Sequence, residues 1–148
     1  DYNLDDLFLE LESTYDEKNE IYKSEGNCII KGTELLQGCN GSVIPSYIDK
    51  IRKYAFYGMR TLLNIEIPNG VTIIEYCTFT GCDKLNTITI PTSVTQFDEY
   101  VFRDCTSLKN VNYNGTHSQW VNIHKGSLWN NGVPSSCRVH CTDGDYSL

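Results

Sequence analysis

The sequence predicts a short α+β repeat solenoid, in which 23-residue coils stack in register, parallel strand ladders run along the stack, and a cap closes each end. Three observations predict it. Pro45, Pro68 and Pro91 recur at a step of 23, each after an isoleucine, Ile44, Ile67 and Ile90. The same step links Ile48, Val71 and Val94, then Ile51, Ile74 and Phe97, then Phe56, Phe79 and Phe102. It continues through Met59, Cys82 and Cys105, Leu62, Leu85 and Leu108, and Ile65, Ile88 and Val111. Finally, the residues flanking 44–113 leave the pattern, as solenoid ends must, because an uncovered terminal coil exposes its apolar ladder. A unit this small cannot close a core alone, so its apolar residues are sheltered by the neighbouring units. Each column residue, once buried, contributes on the order of 1.5–3 kcal/mol, most of it offset by chain entropy.

Four segments follow in order: 1–25, an acidic amphipathic helix and linker; 26–43, a capping hairpin; 44–113, the repeats; and 114–148, a C-terminal cap. Residues 26–148 thus make one domain. In the first segment Leu4, Leu7, Phe8 and Leu11 sit at helical spacing, with Asp5 and Asp6 placed for the first turn. This helix either folds back as extra capping or docks a partner, including a second copy of the chain through residues 1–20. The hairpin pairs Asn27–Lys31 with Glu34–Gln37 around Gly32. Within a repeat, Leu85-x-x-Ile88-x-Ile90 alternates as a strand does, with Ile88 and Ile90 inward and Thr87 and Thr89 outward. Pro91 ends the strand because it has no N–H to donate. A second strand over Val94–Phe97 and a helical turn over 98–106, burying Phe102 and Cys105, complete the unit. At the C-terminus Thr116 and Gln119 fit a capping box for a short helix that runs to Lys125 and stops at Gly126. Trp120, Trp129 and a last strand over Cys137–Cys141 close the stack. An aromatic ligand platform around the two tryptophans is the functional alternative.

Charge and composition exclude several classes. The net charge of −7 belongs to residues 1–25, where nine acids face Lys18 and Lys23, while the remaining acids and bases balance. A neutral body with an acidic leader offers nothing to track phosphates, so nucleic acid is not a partner. Apolar runs are too short to span a bilayer. No basic-then-apolar leader opens the chain, which decides little, since such leaders are removed on maturation.

The motifs of chemistry are missing or incomplete. There is no G-x-S-x-G, phosphate loop or dinucleotide fingerprint, and the histidines, His117, His124 and His140, all lie in the C-terminal cap, away from a column thiol in need of a base. No catalytic residue, metal ligand or cofactor is assigned. Cys137, His140 and Cys141 form C-x-x-H-C, which lacks a second ligand pair and, on a strand, puts His140 opposite the two thiols. Asp143-Gly144-Asp145 falls well short of a calcium loop. Cys82 and Cys105 share a column, where ladder side chains point in parallel, so they read as buried free thiols acting as small apolar residues.

The run Ile67-Pro68-Asn69-Gly70-Val71-Thr72-Ile73-Ile74, followed by Phe79-x-Gly81-Cys82-x-x-Leu85-x-x-Ile88-x-Ile90-Pro91, resembles the BspA-like leucine-rich repeat over about residues 26–145. The chain departs from that pattern at Met59 in the cysteine column and at Thr78 and Val101, where the family's alanine survives only as Ala55. The resemblance implies a bacterial leucine-rich-repeat solenoid that is non-catalytic, sits at the cell surface or is secreted, and serves adhesion or protein binding. Solenoids bind through outward strand residues. Here that row is Asn64 and Glu66, Thr87 and Thr89, Asn110 and Asn112, flanked by Asn86 and Lys109, and it suits hydrogen bonding to a protein or glycan. A solvated strand face with no ligand has the same composition. The alternative function is a cytoplasmic scaffold that recruits or self-associates through the acidic N-terminal helix.

Overall fold

The computed structural model describes residues 23–39 and 41–148. The expected amphipathic helix and self-association through residues 1–20 lie outside the described residues. The chain winds as three-sided coils. On the first side strands β5 (Asn64–Glu66), β7 (Thr87–Ile90), β9 (Asn110–Tyr113) and β11 (Arg138–Cys141) pair in parallel. The antiparallel β12 (Gly144–Ser147) completes the sheet order β12-β11-β9-β7-β5. The second side is a parallel sheet of β6 (Ile73–Ile74), β8 (Gln96–Phe97) and β10 (His124–Lys125). A third side consists of turns whose amides bond from coil to coil, as in Phe56 N–H to Thr78 O (3.0 Å), Phe79 N–H to Val101 O (3.0 Å) and Phe102 N–H to Trp129 O (2.7 Å).

The columns are buried files. Phe56, Phe79 and Phe102 are fully buried and stack with ring centroids 5.2 and 5.7 Å apart, planes within 17° and 12°. Trp129 packs on Phe102 and Phe97 at the C-terminal end of the file. Thr78 is buried because its hydroxyl donates to Glu75 O (2.7 Å), which lets a polar residue stand in the alanine column beside Ala55 and Val101.

Three elements differ from the sequence expectation. Residues 98–106 bury Phe102 and Cys105 but form consecutive turns, not a helix, since Tyr100 and Asp104 both take left-handed φ near 59°. Tyr54 and Cys77, then Gly58 and Gly81, repeat these two left-handed positions one and two coils earlier. The second strands are two residues long, because Val71 and Val94 close turns onto Pro68 and Pro91 before pairing begins. The C-terminal helix α1 covers only His117–Val121, with the expected Thr116–Gln119 capping box, and ends at Asn122. His124 and Gly126 leave helical bonding because their amides donate to Thr95 O (3.0 Å) and Phe97 O (2.8 Å), extending the second sheet.

Besides β10, two further strands were not foreseen. β1 (Lys23–Glu25) pairs antiparallel with β2 (Cys28–Lys31), which continues to β3 (Glu34–Gln37) and, in parallel, to β4 (Lys50–Ile51). β12 is the other. Its run Gly-Asp-Tyr-Ser is too polar to signal a strand and is held by pairing to β11.

Candidate functional site

Strand alternation sends the apolar column residues inward and their neighbours to solvent. Ile65, Ile88, Val111 and Val139 are buried, and between them two outward rows cross the first side. One runs Asn64, Thr87, Asn110, Arg138, Ser147; the other runs Glu66, Thr89, Asn112, His140, Asp145. All six strand residues anticipated for binding fall in these rows. Asn86 and Lys109 precede β7 and β9 and flank them.

Arg138, His140, Ser147 and Asp145 belong to the same face and were not anticipated. The step that hides Arg138 and His140 is legible afterwards: Asn110 pairs with Arg138, whereas Thr87 pairs with Asn110, so the last coil is longer by the length of α1. Following the column through Val111 to Val139 across that insertion would have found them.

The face is internally bonded. Asp145 Oδ1 lies 2.7 Å from His140 Nδ1, and His140 Nε2 lies 2.8 Å from Asn110 Oδ1. Asn110 Nδ2 reaches Thr87 Oγ1 at 3.5 Å, and that hydroxyl donates to Asn86 Oδ1 at 3.0 Å. With oxygen at both ring nitrogens, the imidazolium donates both bonds. The neutral ring keeps both only if the Asn110 amide turns over. Within the rows Asp145, His140, Asn110 and Thr87 therefore form a pre-ordered polar chain across β12, β11, β9 and β7.

At the other end the face opens into a groove of about 570 Å³. Its lining includes Ser42, Val43 and Ile44 of the first coil, Asn64, Glu66 and Pro68 of the next, and Thr87 and Thr89 of the one after. The groove has a local cause. One period before Asn64–Glu66 comes the segment 41–43, which is drawn toward the β1–β2 turn. Val43 N–H donates to Gly26 O (2.8 Å) and Ser42 Oγ to Asn27 O (2.9 Å). Gly26 is required there, since a Cβ on it would meet the Val43 carbonyl. The groove thus contains Asn64, Glu66, Thr87 and Thr89 but not Asn86, Lys109, Asn110 or Asn112.

The other chemical candidates are placed elsewhere. Trp120 is buried among Phe97, Tyr113 and Trp129, and Lys125 Nζ sits 4.8 Å from its ring centre while donating to Trp120 O and Ile123 O. Trp120 is core and Trp129 is partly buried against it, beside a lysine whose pKa burial pushes down. Cys137 is fully buried while His140 is engaged on the outer face, and among the described residues no three metal-ligating side chains gather at one point. Cys82 and Cys105 donate their thiols to Phe56 O (3.0 Å) and Phe79 O (3.1 Å) of the preceding coil. None of the seven cysteines forms a disulfide among the described residues. Burial pushes the Cys82 thiol up to about 12 and Cys137 to about 11, and raises Cys105 further.

A thiol titration of the native protein at pH 8 therefore labels exposed Cys39 first and leaves Cys82, Cys105 and Cys137 unreacted until the chain unfolds. At that pH a thiol with its pKa raised to about 12 is almost wholly protonated, and the thiolate is the reactive form. Rapid labelling of Cys82 in the folded protein would contradict the packing of its column.

Coils that stack through parallel ladders and a central phenylalanine file define a leucine-rich-repeat solenoid. The chain belongs to the family described as the BspA type leucine rich repeat region, which matches residues 35–131 in 6 copies. That match takes in most of β3 and most of the lengthened last coil. The fold is similar to that of a leucine rich cell surface protein from Faecalibacterium prausnitzii A2-165, with 23% identity, a TM-score of 0.50, and 71% of this chain and 42% of that one covered. It is also similar to the pneumococcal vaccine antigen PcpA, with 15% identity, a TM-score of 0.58, and 86% and 44% covered. The chain spans less than half the length of either protein. No curated protein matches it. Among the described residues no helix is long and apolar enough to cross a membrane.

Proposed function

We propose that the chain is a non-catalytic binding or adhesion module that recognises a protein or glycan through its first side, and that it works at the cell surface or after secretion. The observation that carries this is the pair of in-register outward rows, in which Asp145, His140, Asn110 and Thr87 are already hydrogen-bonded in a chain that ends on the flanking Asn86. Side chains ordered before a ligand arrives lose little freedom on binding, which raises affinity for a given contact area. The rows also mix amides, hydroxyls, an imidazole and both signs of charge, a set that forms many directional bonds and buries little apolar area. Such chemistry supports recognition and not turnover. A surface location draws support from the description of the Faecalibacterium protein as a cell surface protein.

The test is a binding screen against immobilised extracellular-matrix proteins and a glycan array, using the chain and its Asn64→Lys, Thr89→Lys and Asn112→Lys variants. Saturable binding that falls at least tenfold in the variants, about 1.4 kcal/mol or more, is the expected result. Binding that survives all three removes the first side from consideration.

A further inference from the structure

We propose that the open edge of β5 takes an extended peptide segment of a protein partner as an added strand, seated in the groove beside it, with an apolar side chain facing Ile44 and Ile65 and a basic one beside Glu66. This rests on the protein-binding reading above and narrows it to a mode and a place.

The backbone supplies the first argument. Among the described residues β5 ends its sheet and pairs only with β7. Thr87 N–H donates to Leu63 O (3.3 Å) and Ile67 N–H to Thr89 O (2.9 Å), so the main-chain groups of residues 63 and 67 point at β7. Alternation then turns the N–H and C=O of Asn64 and Glu66 toward the groove. Unpaired edge groups of this kind are a template for another strand, and strand addition is a recurring mode of peptide recognition.

The second argument is that, among the described residues, the preceding coil adds no strand beside β5. Its segment 41–43 is held by Gly26 and Asn27 of the β1–β2 turn and does not pair with β5. The space between is the groove of about 570 Å³. Three residues of β5 span roughly 10 Å, enough for a segment of similar length to pair with both Asn64 and Glu66.

The third argument is core coverage. Ile88, Val111 and Val139 are fully buried, whereas Ile65 in the same column keeps 6% exposure, Ile44 8%, and Val43 70%. An inward apolar side chain on an added strand would cover the thinnest part of the core. Charge selects the neighbouring side chain, since among the described residues Glu66 is the only charged one lining the groove. The same charge argues against a second copy pairing through its β12 edge, which would set Asp145 beside Glu66. A glycan would make no use of alternating amide and carbonyl groups at strand spacing.

The test pans a display library of random 12-residue peptides against the immobilised 148-residue chain, then measures the enriched peptides on Glu66→Lys, Glu66→Pro, Asn112→Lys and a control, Lys84→Glu, at an exposed turn residue outside the site. Proline at 66 removes one groove-facing N–H and is tolerated on an edge strand. Enrichment of peptides pairing an apolar with a nearby basic residue is expected. Their affinity should fall at least tenfold with Glu66→Lys and Glu66→Pro and stay unchanged with Lys84→Glu. The Asn64 and Glu66 amides should gain protection from hydrogen exchange on peptide binding. Failure to enrich any peptide, or equal binding to Glu66→Pro, overturns the proposal. Loss with Asn112→Lys but not with Glu66→Pro would leave first-side recognition standing and remove strand addition. If Glu66→Pro does not fold by circular dichroism, Glu66→Lys and the exchange measurement decide.

Discussion

Truncating Phe79 to alanine costs about 3–5 kcal/mol of stability, at the upper end of core truncations. Its ring is fully buried and stacked on both faces, 5.2 Å from Phe56 and 5.7 Å from Phe102. The neighbouring rings cannot slide into the gap. Phe56 is tied to the next coil through its amide to Thr78 O, and Phe102 through its amide to Trp129 O. The cavity therefore persists, and the cost is the lost burial plus the empty volume. The transition should also lose cooperativity, because Phe79 is where the first and last coils are joined through the core. Urea unfolding followed by circular dichroism measures both effects. A loss below about 1 kcal/mol, less than even a conservative core truncation costs at its upper end, would show that the file is not packed as described.

Gly38→Ala is the second large effect, and it acts by overpacking. A Cβ at Gly38 would fall within the buried ring of Phe56. That ring has nowhere to go, since it lies against Phe79, and the Gly38 backbone is fixed by its N–H to Ala55 O at 2.8 Å. The expected loss is about 3 kcal/mol, although alanine there carries no conformational penalty. Gly32→Ala makes the contrast. Nothing lies within 4 Å of a Cβ there, but φ is +61°, so the cost is backbone strain of about 1–2 kcal/mol. Adding Phe56→Leu to Gly38→Ala should recover part of the loss, because a smaller side chain vacates the clash. If the two substitutions simply add, the clash with Phe56 is not the cause.

Much of this was legible in the sequence because the apolar columns obey one period. Phe56, Phe79 and Phe102 could be placed in one file from spacing alone. Features outside that period were hidden. The left-handed positions at Tyr54, Cys77 and Tyr100 carry residue types that rarely adopt such φ, so nothing marked them as turn-formers in place of a helix. Val71 and Val94 lengthened the expected second strands because an apolar residue closing a turn looks like one inside a strand. The helix was extended to Lys125 because Gly126 resembles a helix stop, whereas its role is to let the backbone pass beside Glu99. On the candidate site, the rows through β5, β7 and β9 followed from alternation. Arg138 and His140 fell out of register behind α1, and the groove depends on Gly26 and Asn27 pulling the first coil aside, a long-range contact with no sequence signature.

The left-handed turns on the third side bear on the shape of any longer array. Where a solenoid carries bulky helices on one side, its units splay and the array arcs. Here the third side is as thin as the strand sides, and amide bonds link coil to coil on all three. Each added unit then advances by about the same 4.8 Å everywhere around its perimeter, so a longer array grows as a nearly straight rod, and the length of its outward rows on the first side scales directly with the number of units.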